Sequence, residues 1–228
     1  MKKALDMLEK HGIISIMASH NENEHSLTHK ILKRVWRRGR GSVFTADDFA
    51  DLGERSAIDI ALSRLTKQGK IRRIARGIYD YPRIDPAMGP ISPSVESIAK
   101  ALASSKKLRL QPSGAYAANI LGLSEQVPMK IIFLTDGPSR KIRVNNREII
   151  LKQTTPRNMA AAGTFGGTVI QALKYIGHDA LAPEIESRLK SVIPPEQRPA
   201  VLKAALSAPA WIRSLLRKIL QEESLTND

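Results

Sequence analysis

Positively charged side chains offer the clearest chemistry in this sequence, and they are concentrated in one stretch of it. Residues 26–83 contain fourteen Lys and Arg against six Asp and Glu, a local net charge of +8 in a 228-residue chain whose net charge is +14. Such a local excess of positive charge attracts phosphate groups. Nucleic acid is therefore the first partner to consider, and an anionic membrane surface is the second.

Two groups of residues in this stretch have the types and positions for contact with double-stranded DNA. On the outward face of a predicted helix, Arg55 can donate to guanine, and Asp59 can accept from cytosine or orient Arg55 one turn away. Cations on a predicted hairpin and the turn before it would instead contact phosphates or the minor groove, which sets affinity without reading sequence. The base-reading candidates are Arg55, Ser56, Asp59 and Ser63; the backbone candidates are Lys67, Lys70, Arg72, Arg73 and Arg76.

These charges also have simpler interpretations. Charged residues on a small helical unit are usually a solvated face, and such units also bind proteins. RNA is less favoured than DNA, because unpaired RNA is commonly bound by aromatic stacking and the aromatic residues here are expected in the core. Those aromatic residues are Trp36, Phe44, Phe49, Tyr79 and Tyr81.

Residues that could catalyse a reaction are scattered and match no known arrangement. The sequence has no P-loop, no zinc-protease helix and no nucleophile elbow. The glycine-rich AGTFGGT at 162–168 has the wrong spacing for a phosphate loop and predicts a turn before a helix. His25 and His29 lack a third ligand nearby, and there is no cysteine. We therefore expect no enzyme activity, no metal and no cofactor.

Three predicted helices and a hairpin position the basic groups. Apolar residues recur at helical spacing from Leu27 to Trp36, and a second helix should begin at Thr45, where acidic residues in the first turn suit the helix dipole. A third helix is predicted over 55–68, and IRRIARGIYDY reads as a hairpin that turns at Arg76-Gly77. This order of elements is that of a winged helix-turn-helix at 26–83.

The rest of the chain predicts an α+β protein. Residues 1–25 read as an N-terminal extension, and the prolines after Tyr81 indicate a linker at 84–93. From 94 to 228 we expect a mixed α/β domain with a strand at 129–136, a hairpin at 141–153 and helices from about 164. No segment is long and apolar enough to span a membrane and none resembles a secretory signal, so a cytoplasmic protein without membrane contact is expected.

Three segments of the sequence, taken together, resemble one known family. They are FTADDFADLG, ALSRLTKQGKIRRIARGIYDYP and AYAANILGLSEQVPMKIIFLTDGPSRKIRVNNREIILKQTTP. The first two are generic to winged helices with a basic hairpin, whereas LTDGPSRKI in the third belongs to no DNA-reading unit. Over about residues 27–160 the chain resembles the AbiEi antitoxins of type IV toxin–antitoxin systems.

The resemblance implies a function for each region. The N-terminal domain would bind inverted repeats in operator DNA and repress its own operon. The C-terminal domain would counteract a nucleotidyltransferase toxin without a stable complex, with Arg140, Lys141 and Arg143 as exposed basic candidates. The extension before Ser26 departs from the family pattern, so Met17 is an alternative start to Met1. A winged-helix regulator with a ligand-sensing or dimerisation domain remains the alternative.

Overall fold

The computed structural model of the chain describes residues 26–104 and 107–221 and contains both helices and sheets, which confirms an α+β protein. The chain divides into two compact units, Met1–Ser105 and Lys106–Asp228. The expected extension at 1–25 lies outside the described residues, and so do His25 and the two candidate starts.

The first unit begins with helices and a three-stranded antiparallel sheet. In chain order these elements are α1 (Leu27–Arg38), β1 (Val43–Phe44), a 3₁₀ helix (Ala46–Leu52), α2 (Arg55–Lys67), β2 (Arg72–Ala75) and β3 (Ile78–Asp80). The strand order is β1–β3–β2, so β3 is central and hydrogen-bonds to both neighbours. The turn between β2 and β3 contains Gly77, whose φ of +75° favours glycine.

Local sequence explains where these helices begin and end. The hydroxyl of Ser26 accepts a hydrogen bond from the backbone N–H of His29 at 3.2 Å and so caps the start of α1. The second helix, expected as an α-helix, is a 3₁₀ helix. The backbone N–H of Thr45 donates to the Asp48 carboxylate at 2.8 Å, so this acid starts the helix, as expected for an acid in its first turn.

One apolar core holds α1, the 3₁₀ helix, α2 and the sheet together. Phe49 packs edge-on against Phe44 with ring centroids 5.6 Å apart, and Tyr79 stacks on the same ring at 6.3 Å. The aromatic residues expected in the core are buried, except that Tyr81 is partly buried at its edge and the Trp36 side chain is 49% exposed. The fully buried aliphatic members of this core include Ile31, Val35, Ile58, Leu62 and Leu65.

The expected linker contains ordered structure, and the first unit continues beyond it. A two-stranded hairpin forms from β4 (Ile84–Asp85) and β5 (Gly89–Pro90), and α3 (Val95–Ser104) follows. From the sequence, residues 94–104 were expected in the second domain. The structure instead shows that α3 contacts β1 of the first unit and that the apolar face of α3 is buried. The division of the chain therefore falls between 105 and 106.

The second unit is a four-stranded sheet followed by helices. Its elements are β6 (Leu110–Ser113), α4 (Ala115–Ile120), β7 (Lys130–Thr135), β8 (Arg140–Val144), β9 (Arg147–Gln153), α5 (Phe165–Ile176), α6 (Pro183–Val192), a 3₁₀ helix (Pro195–Gln197), α7 (Arg198–Ala205) and α8 (Ala210–Gln221). The strand order is β6–β7–β9–β8, with β7 and β9 parallel and the other pairs antiparallel. The predicted strand, hairpin and helical C-terminal region are all present. The hairpin turns at Asn145, which has a φ of +53°.

The glycine-rich stretch at 162–168 serves close packing at the start of α5. A Cβ on Gly166 would lie 2.8 Å from the Cβ of Ala204, and one on Gly167 would collide with the Ala161 carbonyl and the Gln111 side chain. The Thr164 hydroxyl accepts a hydrogen bond from the Gly167 N–H at 3.0 Å. The prediction of a turn before a helix is thus confirmed.

Candidate nucleic-acid interface

The outward face of α2 carries a stripe of four exposed residues. They are spaced i, i+4, i+7 and i+11, which keeps them on one side of a helix. The opposite side of α2 is buried in the core of the first unit through Ile58 and Leu62. Three of the four exposed side chains are uncharged, and the stripe consists of Ser56, Ile60, Ser63 and Lys67.

Arg55, at the start of α2, lies between two carboxylates. Its Nη1 is 2.7 Å from Asp47 Oδ1, and its Nε is 3.0 Å from Asp59 Oδ2. The hydrogen bond to Asp59 is the main cause of a pKa of Arg55 above its ordinary value. The side chain is nevertheless 62% exposed. Asp59 thus orients Arg55 across one helical turn, and a guanidinium edge remains open to solvent.

Arg72, on β2, is bound inside the first unit. Its Nη2 and Nε donate to the two oxygens of Asp80 at 2.6 and 3.0 Å, and Nη2 also donates to the carbonyl of Ile91 at 2.9 Å. Asp80 is 1% exposed. The hydrogen bond to Asp80 is the main cause of a pKa of Arg72 above its ordinary value. Nε and Nη2 of Arg72 therefore hold the hairpin together and bind the segment after β5.

The other hairpin cations are exposed. Lys70, Arg73 and Arg76 lie between the end of α2 and the turn of the hairpin, and no ion pair forms at any of them within the part of the chain that the structure describes. Together with Lys67 at the end of α2, these three residues form a continuous row of exposed cations from the helix to the hairpin.

Several cations of α1 and its C-terminal turn, by contrast, bind acidic residues or carbonyls. Arg34 forms two hydrogen bonds with the Asp51 carboxylate at 2.6 Å each, and Arg38 lies 3.0 Å from Asp48. Arg40 lies over the ring of Tyr81, 4.7 Å from its centroid. Two of the five cations of α1, Arg34 and Arg38, therefore join α1 to the 3₁₀ helix.

In the second unit the structure separates the three basic candidates of the β8–β9 hairpin. Because side chains alternate along a strand, Lys141 and Arg143 lie on one face of the sheet and Arg140 lies on the other. Arg143 pairs in register with Glu148, and Glu148 pairs with Lys130, which places Lys130 on the face of Lys141 and Arg143. The four exposed cations of this face, here called the basic sheet face, are Lys130, Lys141, Arg143 and Lys152.

Sequence reasoning missed Ile60, Lys130 and Lys152 as surface features. No role for Ile60 was predicted from the sequence, although its outward position in the helical pattern of α2 could have marked it. Lys130 joins the basic sheet face only through the pairing of β7 with β9, which the sequence does not specify, whereas Lys152 lies on β9 within the predicted hairpin.

The structure offers no metal centre among the residues that it describes. No group of three or more His, Cys, Asp or Glu is arranged to hold an ion there. His29 is among these residues, whereas His25 is not. None of the helices at 27–104 and 115–221 is long and apolar enough to cross a membrane.

Comparison with known proteins identifies a family and no relative with an assigned role. The family model that matches is DUF6088, described as a family of unknown function, and the match covers residues 30–200. It therefore includes the outward face of α2, the basic hairpin and the basic sheet face. A search of curated proteins found no match.

Proposed function

The chain belongs to the DUF6088 family, and we propose that its first unit is a winged helix-turn-helix that binds double-stranded operator DNA and represses its own operon. The outward face of α2 carries this proposal: mostly uncharged side chains lie exposed there, next to a hairpin with exposed cations. We expect such a protein to act in the cytoplasm.

The order and pairing of the elements support this proposal. A winged helix-turn-helix places its third helix in the major groove and its hairpin against the DNA backbone or the minor groove. Here the 3₁₀ helix and α2 correspond to the second and third helices, and β2 and β3 form the wing. The short β1 pairs with the central strand β3 and forms one edge of the three-stranded sheet.

We assign different tasks to different residues of this surface. Ser56 and Ser63 would reach base edges, and Arg55 would donate to a guanine while Asp59 holds its orientation. The exposed cations would contact phosphates, which sets affinity and register. Arg72 is left out of this group because its donors bind Asp80 and Ile91. The proposed phosphate contacts are Lys67, Lys70, Arg73 and Arg76.

Binding of the full-length chain to the DNA upstream of its own coding sequence tests this proposal. Affinity for that duplex is compared, at one salt concentration, with affinity for a duplex of the same length and composition in scrambled order. We expect the upstream duplex to bind at least about 1,000-fold more tightly, as specific complexes do. Equal affinity for the two duplexes, or no binding to either, would refute operator recognition.

For the second unit we propose the function that the resemblance to AbiEi antitoxins implies, which is to counteract a nucleotidyltransferase toxin without a stable complex. The basic sheet face supports a contact of this unit with an anionic partner, because it exposes four cations and the positions paired with them contain one acidic residue, Glu148. No catalytic step and no cofactor is part of this proposal.

Growth of cells that express, from an independent promoter, a nucleotidyltransferase encoded beside this chain tests the second role. Repression of the operon cannot affect the toxin in that arrangement. Co-expression of the full-length chain should therefore restore growth only if the protein is an antitoxin. Continued growth arrest would favour the alternative, a regulator whose second unit senses a ligand or forms a dimer.

A further inference from the structure

Ile60 is an exposed aliphatic side chain in the middle of the face of α2 that the proposed function turns toward DNA. It is 54% exposed, although the buried side of α2 is fully apolar and well packed. Its neighbours along the outward stripe are Ser56 before it and Ser63 after it, and both are short. Ile60 therefore projects beyond the uncharged side chains around it.

Charged residues flank this stripe: Arg64 is exposed one turn after Ile60, and Arg55 and Asp59 come before Ile60. Asp59 is paired with Arg55 through the contact of 3.0 Å, and Arg55 is held toward Asp47 as well, at 2.7 Å. A helix with short neutral side chains can approach base edges closely. The major groove offers one apolar group there, the 5-methyl group of thymine.

Resting on the proposed function, we infer that Ile60 reads a thymine by packing against its 5-methyl group. The operator then contains a thymine at a fixed position in each site that α2 enters. Uracil presents the same hydrogen-bonding groups as thymine and lacks only the methyl group, so it isolates this contact. Burial of one methyl group corresponds to about a fourfold change in affinity.

The test uses the full-length chain and the duplex that it enriches from a random-sequence library. Each thymine of that duplex is replaced in turn by uracil, and affinity is measured for the unchanged protein and for Ile60→Ala. Ile84→Ala is the matched control, because Ile84 is 53% exposed and lies on β4, away from α2. Alanine suits an exposed helical position, so Ile60→Ala should fold.

We expect one thymine per site whose replacement weakens binding of the unchanged protein and of Ile84→Ala about fourfold. The same replacement should leave the affinity of Ile60→Ala unchanged. If Ile60→Ala still distinguishes thymine from uracil at that position, or if no position is sensitive in the unchanged protein, the inference is wrong while DNA binding stands. If no duplex is enriched, the proposed function fails and this inference fails with it.

Discussion

Arg72 and Asp80 face each other across strands β2 and β3 and form a two-pronged ion pair, with Nη2–Oδ2 and Nε–Oδ1 distances of 2.6 and 3.0 Å. The carboxylate is buried and the guanidinium is about one-third exposed. Arg72 also donates to the carbonyl of Ile91, so the same side chain joins the hairpin to the segment after β5. One cation of the basic hairpin thus stabilises the hairpin itself.

The first prediction concerns the stability of that hairpin. Arg72→Ala leaves the buried Asp80 without its partner, which should cost about 3–5 kcal/mol of unfolding free energy. The control is Arg73→Ala, the next residue along β2, which is exposed and should cost no more than about 0.5 kcal/mol. Urea denaturation of the full-length protein measures both. Equal losses for the two variants would contradict the assigned role of the pair.

The second prediction concerns base discrimination by Arg55. Arg55→Ala should lower the preference for operator over scrambled DNA by about 1–3 kcal/mol if the guanidinium contacts a guanine. Asp59→Ala should keep the charge of Arg55 and lose its orientation, so binding to scrambled DNA should rise while the preference falls. Competition binding with both duplexes gives the two values. If Arg55→Ala loses the same affinity for both duplexes, Arg55 contacts a phosphate and not a base.

The third prediction separates the two faces of the β8–β9 hairpin. Lys141→Gln with Arg143→Gln removes two charges from the basic sheet face and should weaken rescue from the toxin. Arg140→Gln with Arg147→Gln removes two charges from the opposite face of the same hairpin and should leave rescue intact. Growth with the toxin under an independent promoter compares the pairs. Equal effects would show that net charge, and not this face, matters.

The fourth prediction concerns acid sensitivity of the first unit. The hydrogen bond from Arg34 is the main cause of a pKa of Asp51 below its ordinary value. A carboxyl group whose pKa is lower in the folded than in the unfolded protein stabilises the fold at pH values above its unfolded-state pKa, which is near 4. This stabilisation is lost as the pH falls through the pKa of the folded state. Asp51→Asn should therefore be less stable than the unchanged protein at pH 7, and the difference should shrink at pH 3. A difference that stays constant between the two pH values would contradict this.

Elements with a local cause were predictable from the sequence. The start of α1 depends on Ser26, and the ends of α1 and the hairpin turn depend on nearby glycines, so their positions follow from short stretches of sequence. The 3₁₀ form of the second helix was not predictable, because the same capping residues suit an α-helix. The place of α3 was also not predictable, since an amphipathic helix does not identify the sheet that it will contact.

Residue roles that depend on strand pairing could not be predicted from the sequence. Arg72, Arg73 and Arg76 look equivalent in a basic hairpin, and only the register of β2 with β3 pairs Arg72 with the buried Asp80. The separation of Arg140 from Lys141 follows from alternation alone once a strand is assumed. That Lys130 joins Lys141 and Lys152 needed the parallel pairing of β7 with β9, two strands that β8 separates in the chain.

The salt dependence of operator binding tests the central claim most directly, because that claim assigns phosphate contacts to the exposed hairpin cations. Lys70→Ala, Arg73→Ala and Arg76→Ala are combined in the full-length chain, and affinity is measured over a series of salt concentrations. Loss of three phosphate contacts should reduce the slope of log affinity against log salt by about 2.7 and weaken binding to every duplex. A slope equal to that of the unchanged protein would contradict a DNA interface on this hairpin.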